Sequence, residues 1–149
     1  VSNCIGSTIT FKAATYGISF QWQEDDGTGY VNISNGPNYA GVTTSTLQLI
    51  NLPASYAGYK YRCVVNGING NDNIVRFTSI WTGATNTDWF TATNWSCNSV
   101  PNQYTDVVIP NGLINYPIVN SNTSIKSIRV HLNATVTVNS SVILDVNGK

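Results

Sequence analysis

Ile18-Ser19-Phe20-Gln21-Trp22-Gln23 sets Ile18, Phe20 and Trp22 on one side of an extended chain and Ser19, Gln21 and Gln23 on the other. Period-two alternation of this kind belongs to a strand with one face in a core. The same pattern runs just upstream, where Ile9, Phe11 and Ala13 share a side of residues 7–13. Downstream, Glu24-Asp25-Asp26-Gly27-Thr28-Gly29 carries hairpin-loop chemistry, after which Tyr30, Val31 and Ile33 resume the extended run. Residues 45–50 alternate through Leu47 and Leu49, Pro53 marks a corner, and residues 59–65 read as a further strand. Residues 66–73 form a Gly/Asn hairpin loop with Ile74, Val75 and Phe77 returning.

The composition agrees with a nearly all-β chain. Charged residues are 9% of the 149, against roughly 25% in ordinary soluble domains. The polar surface falls instead to Thr, Ser and 20 Asn, which outnumber the 14 charged residues and favour turns and strands over helices. Seven cations balance seven anions, so no basic stripe exists to neutralise phosphates, and neither nucleic acid nor an anionic membrane surface is an expected partner. Membrane insertion is not expected either, because no apolar run approaches the roughly 20 residues needed to cross a bilayer. No signal peptide opens the chain. Cys4, Cys63 and Cys97 are too far apart for a chelating pair and His131 is the one histidine, so no metal and no cofactor is expected. One disulfide plus one leftover thiol is the simplest account.

An apolar strand, Trp22 on a following strand, and Tyr61-Arg62-Cys63 late in the run follow the order of an immunoglobulin-like sandwich. In wording, the stretches FQWQEDDGTGYVNIS, YAGVTTSTLQLINL and YAGYKYRCVV resemble the Ig-like modules of large, adhesin-like secreted or surface proteins of the Bacteroidetes type. The resemblance covers residues 1–79. It implies Trp22 in the sandwich core and Tyr61 as a tyrosine corner whose hydroxyl reaches backbone upstream. It also implies secretion or attachment to a cell surface. The first cysteine departs from the antibody pattern, since Cys4 lies before the first apolar strand and Phe11 fills the usual buried position. A Cys4–Cys63 disulfide is nevertheless expected, with Gly6 bending the chain to bring Cys4 inward.

From Ile80 the character changes without a linker. Trp81, Trp89 and Trp95 recur among Thr and Asn, and the segment resembles the W-x-G, NW, VP and V-x-IP pattern that opens repeat regions in the same class of secreted proteins. Beyond it Ile128, Val130, Leu132, Ala134, Val136, Val138, Val142, Leu144 and Val146 all carry even numbers, which predicts one continuous apolar face broken by Asn133 and by Asn139-Ser140-Ser141. Residues 80–149 are therefore expected to be a second small all-β module, the start of a β-solenoid or a second sandwich. The chain is read as cut from a longer protein whose other domains are its partners. Trp81, Trp89 and Trp95 are expected to plug the open end of the stack.

No grouping of residues points to catalysis. The trio Glu24-Asp25-Asp26 and the run Asn71-Asp72-Asn73 read as turn chemistry ahead of calcium ligands. Asp88, Asp106 and Asp145 are scattered singly, and acid-base hydrolysis needs two carboxylates facing one another. His131, between Val130 and Leu132, is placed on the face opposite the apolar one, without a Ser or Cys to activate. Four Trp and eight Tyr in an amide-rich chain suit a carbohydrate-binding face as well as a small β core. Tyr16, Tyr30, Tyr39, Tyr56, Tyr104 and Tyr116 are candidates for exposure, with no spacing that singles out a site. Asn-x-Ser/Thr triplets begin at Asn32, Asn94, Asn122, Asn133 and Asn139, as chance produces when Asn is this abundant.

The expectation is thus a non-catalytic structural or adhesive module of an extracellular or cell-surface bacterial protein, facing an unknown protein or glycan surface. The rival is a carbohydrate-binding module attached to a catalytic domain elsewhere, with Trp81, Trp89 and Trp95 as its sugar platform.

Overall fold

The computed structural model describes residues 3–148; Val1, Ser2 and Lys149, the outer ends of the two expected modules, lie outside the described residues. The chain is all-β, and two 3-10 turns are the helical elements among the described residues. It divides into two compact units, one of Ile5–Val75 and one that gathers residues 3–4 with 76–148.

The Ile5–Val75 unit is sandwich-like. One sheet holds β1 (Ile9–Lys12), β5 (Thr46–Leu49) and β4 (Tyr39–Ala40) in that order. The other holds β3 (Val31–Asn32), β2 (Phe20–Asp25), β6 (Lys60–Val65) and β7 (Ile68–Asn69), with β8 (Asn73–Ile74) also on β6. All pairing is antiparallel. Register places Trp22 opposite Cys63. Trp22, Leu47, Leu49 and Tyr61 are fully buried, and the Trp22 indole Nε1 donates to the Thr44 carbonyl at 2.9 Å. Asn66-Gly67, both with positive φ, makes the two-residue turn between β6 and β7, the I′ geometry that matches strand twist.

The second unit is built differently. β9 (Phe77–Ile80), β10 (Thr105–Ile109) and β13 (Ser127–Val130) form one parallel sheet with β10 in the middle. β11 (Ile118–Val119) pairs in parallel with β14 (Thr137–Val138), and β12 (Thr123–Ile125) with β15 (Leu144–Val146). Thr137 follows its partner Ile118 by 19 residues and Leu144 follows Thr123 by 21. The chain therefore completes one circuit in about 20 residues and lays each strand on its predecessor, the geometry of a solenoid rather than of a second sandwich. Phe77, which alternation groups with the sandwich strands, opens this stack by pairing with Thr105.

The even-numbered apolar face is not continuous. Val130, Val138 and Val146 lie in register below the buried Ile109, Val119 and Ile125, yet they are exposed, as is Leu132 in the turn after β13. Their columns point inward but belong to the last circuit formed by the described residues. The circuit also turns corners, Asn133 and Ser141 taking positive φ at two of them.

Candidate functional site

The three tryptophans after Ile80 are interior. Trp81, Trp89 and Trp95 are buried in one cluster with Val107, Ile109, Val119 and Ile125. Trp95 stands edge-on to both others, with ring centroids 4.9 Å from Trp81 and 4.7 Å from Trp89. The Trp81 Nε1 donates to the Asn115 carbonyl and the Trp95 Nε1 to the Trp89 carbonyl, each at 2.8 Å. Rings with no accessible face cannot stack on a sugar, so the platform expected in the rival reading is not there.

Asn94 organises the loop that carries them. Its side-chain oxygen accepts from the backbone N–H groups of Thr85 and Asn86, and its amide nitrogen donates to Asn86 Oδ1 and the Asp88 carbonyl. A fully buried amide with its bonding capacity filled holds residues 85–95 in one conformation. Asp88 caps the same loop, its Oδ1 accepting from Phe90 N–H and its Oδ2 from the Thr91 hydroxyl.

The disulfide joins Cys4 to Cys97, not Cys4 to Cys63. Asn3 forms an antiparallel bridge with Thr78, which places Cys4 in the same unit as β9. Ser96 N–H donates to the Ile80 carbonyl and the Ser96 hydroxyl accepts from Ile80 N–H. Asn3 and Ser96 thus cover the outer edge of the first parallel strand, and the adjacent Cys4–Cys97 bond staples that cover in place. Cys63 is a buried thiol, pushed above its ordinary pKa by desolvation and so kept unreactive. Residues 80–149 match a family model described as Domain of unknown function (DUF8693). No curated protein and no solved structure matches the chain. The matched segment includes the tryptophan cluster, Asn94 and Cys97, while Cys4 lies outside it.

In the sandwich, Tyr61 does not make the backbone bond of a tyrosine corner. Its hydroxyl donates to Glu24 Oε2, on the neighbouring strand of the same sheet, and the Tyr39 hydroxyl donates to the same oxygen from the other sheet. Burial, then the bond to Glu24, raises both phenols far above their usual range. The other two acids of the trio serve their own loop. Asp25 accepts from Gly27 and Gly29 N–H and Asp26 from the Thr28 N–H and hydroxyl, which lowers both pKa values. Asp72 accepts from the Tyr30 hydroxyl, and Arg62 stacks on the Tyr30 ring at 3.7 Å. Among the described residues no group of three or more His, Cys, Asp or Glu is placed to hold a metal ion. Asp106 accepts from the Ser127 hydroxyl and lies 3.6 Å from the exposed Arg76, an ion pair at the surface of the parallel stack. His131 is half-buried just past the end of β13, its N–H bonded to the Ile109 carbonyl. Among the described residues no helix is long and apolar enough to cross a membrane.

One end of the sandwich presents apolar side chains to water. Tyr16 is 100% exposed, Ile18 99% and Ile68 74%. They sit on two loops that are locked to each other. Asn66 Oδ1 accepts from the N–H groups of Ile18 and Ser19, each at 3.1 Å, and Asn66 N–H donates to the Ser19 carbonyl. Gly17 lies so close to the β6 strand that a Cβ there would meet Val65 Cγ1 at 2.3 Å. That approach turns Tyr16 and Ile18 outward, against the alternation that groups Ile18 with Phe20 and Trp22. Beside this tip opens a cavity of about 340 Å³. Residues 12–15 form one wall, Asn69, Gly70, Asn71 and Asn73 the other, and Trp22, Cys63 and Val65 the floor. Of the six tyrosines that are candidates for exposure, only Tyr16 and Tyr104 are exposed; Tyr30, Tyr39, Tyr56 and Tyr116 are half-buried. The signal for the tip was an isoleucine inside a hairpin, Gly67-Ile68-Asn69, where turn chemistry offers an apolar side chain no core to enter.

Proposed function

We propose that the chain is a non-catalytic structural and adhesive module of a secreted or surface-displayed bacterial protein, presenting the Tyr16, Ile18 and Ile68 tip to a partner. The observation that carries this reading is the tip itself. Three large apolar side chains stand in water on loops pinned by Asn66, an arrangement with a standing cost in free energy that contact with a partner relieves. The Cys4–Cys97 disulfide supports an oxidising, extracellular setting, where such bonds persist. Glu24, Asp25, Asp26, Asp72, Asp88 and Asp106 are engaged in turns, with tyrosine hydroxyls or in the Arg76 ion pair, which favours a structural use of charge over chemistry. The resemblance of residues 1–79 to adhesin-like modules points the same way, as an analogy of sequence.

Antibody labelling of intact cells of the encoding organism, together with retention under flow of beads coated with the chain, tests the reading. Surface labelling and retention that falls when Tyr16, Ile18 and Ile68 are changed to serine are expected. A cytoplasmic location, or turnover of a glycoside, ester or peptide substrate by the purified chain, overturns it.

A further inference from the structure

We infer that the groove beside this tip takes an extended polypeptide segment bearing a carboxylate, which joins the free edge of β1 and lowers alternate apolar side chains into the cavity. The inference deepens the adhesive reading and rests on it for its biological setting.

Four features carry it. First, β1 is the terminal strand of its sheet. Ala13 N–H is bonded to the Ser45 carbonyl, so antiparallel alternation turns the N–H and C=O of Lys12 away from β5. Among the described residues those groups have no backbone partner. An unpaired edge of this kind is a template for a further strand. Second, the opposite wall bulges. β6 pairs with β7 at Val64 and Val65 and with β8 at Lys60 and Tyr61, while Gly70 N–H reaches back to the Cys63 carbonyl. The intervening residues leave the ladder, and the gap between this wall and β1 stays open. A Cβ at Gly70 would lie 2.8 Å from the Cys63 carbonyl oxygen, so only glycine lets the wall fold back this closely.

Third, the chemistry of the lining suits a peptide better than a sugar. The floor under the cavity is apolar, yet the Trp22 ring is fully buried and offers no face for stacking. The Asn69 and Asn71 side chains on the wall can pair with peptide N–H and C=O groups, and Ile18 and Ile68, on the loops that adjoin the lining residues Val65 and Asn69, match apolar side chains but offer nothing to hydroxyls. Fourth, Lys12 is the one charged residue lining the cavity; it is exposed, and the ion pair found among the described residues lies elsewhere, between Arg76 and Asp106. A segment with an acidic side chain or a free C-terminus complements it. The cavity volume, about 340 Å³, is at the small end for a binding site and suits a few side chains rather than a folded surface.

The test is selection from a phage-displayed library of random nine-residue linear peptides against the full disulfide-bonded chain, followed by titration of the winning synthetic peptides. Enrichment of sequences with apolar residues at alternate positions and a carboxylate is expected. Ile18→Ser/Ile68→Ser should weaken their binding by about tenfold or more at an unchanged melting temperature, since both side chains are already in water. Lys12→Glu should abolish the preference for acidic peptides. Bound peptide should slow hydrogen exchange at the Lys12 amide, a readout that nonspecific apolar contact would not move. No enrichment, equal binding by the variants, unprotected β1 amides, or selective binding of saccharides on a glycan array through the same residues each overturns the proposal. Failure here leaves surface labelling and bead retention intact as evidence for adhesion, whereas a cytoplasmic location sinks the adhesive reading even if peptides bind.

Discussion

At Asn94 four hydrogen bonds converge on one buried amide; the Asn94-Trp95 pair stands out in the sequence as part of a pattern, but its hydrogen-bonding role does not. Asn94→Ala takes the partner from two N–H donors and two acceptors and empties a fully buried position, and should cost roughly 1 to 3 kcal/mol, read as a lowered melting temperature. Glu24 is a second such hub. Tyr61→Phe removes one of its two phenol donors and should cost about 1 to 2 kcal/mol at neutral pH. The pair also sets an alkaline limit. Both phenols are held neutral in the folded chain, whereas an unfolded tyrosine ionises near pH 10. A folded pKa above the unfolded one means stability that is whole below about pH 10 and falls as pH rises beyond it. Denaturant midpoints between pH 8 and 11 should decline above that point, less steeply in Tyr61→Phe; a flat profile in the wild-type chain would contradict the buried pair.

Among the elements, β10 is hydrogen-bonded on both sides and carries the buried Val107 and Ile109. β13, β14 and β15 are bonded on one side and close a circuit whose inward valines are uncovered. Native-state hydrogen exchange should therefore rank β10 as the best protected strand of this unit and the last circuit as the first to open. Equal protection would mean that the last circuit is covered in solution. Alternation in the sequence identified the direction in which Val130, Val138 and Val146 point. It carried no information on whether another layer follows, because a strand's period reports which side is apolar and not what packs there. At Ile18 the same rule failed for the converse reason, since the packing of Gly17 on Val65 outweighs the period.

For the whole molecule, the chain leaves one unit at Cys4, builds Ile5–Val75, and returns at Arg76, so the Cys4–Cys97 bond encloses the entire sandwich in a loop with a sequence separation of 93. Cross-links over loops of this size restrict the unfolded chain by an amount on the order of 4 kcal/mol. Cys4→Ser/Cys97→Ser should lower the melting temperature and speed exchange at Thr78, whose N–H bonds to Asn3. Cys63→Ala should leave the disulfide formed, as thiol counting with and without reductant can check. Composition and alternation were enough to determine an all-β chain, because this depends on side-chain chemistry and on the period of a strand, while the buried Trp22 followed from the resemblance to a sandwich. The cysteine pairing, the parallel stacking, the Glu24 hub and the exposed tip were decided only by tertiary structure. Each depends on which distant segments meet, and a strand's neighbours are chosen by the packing of the whole sheet rather than by the strand itself.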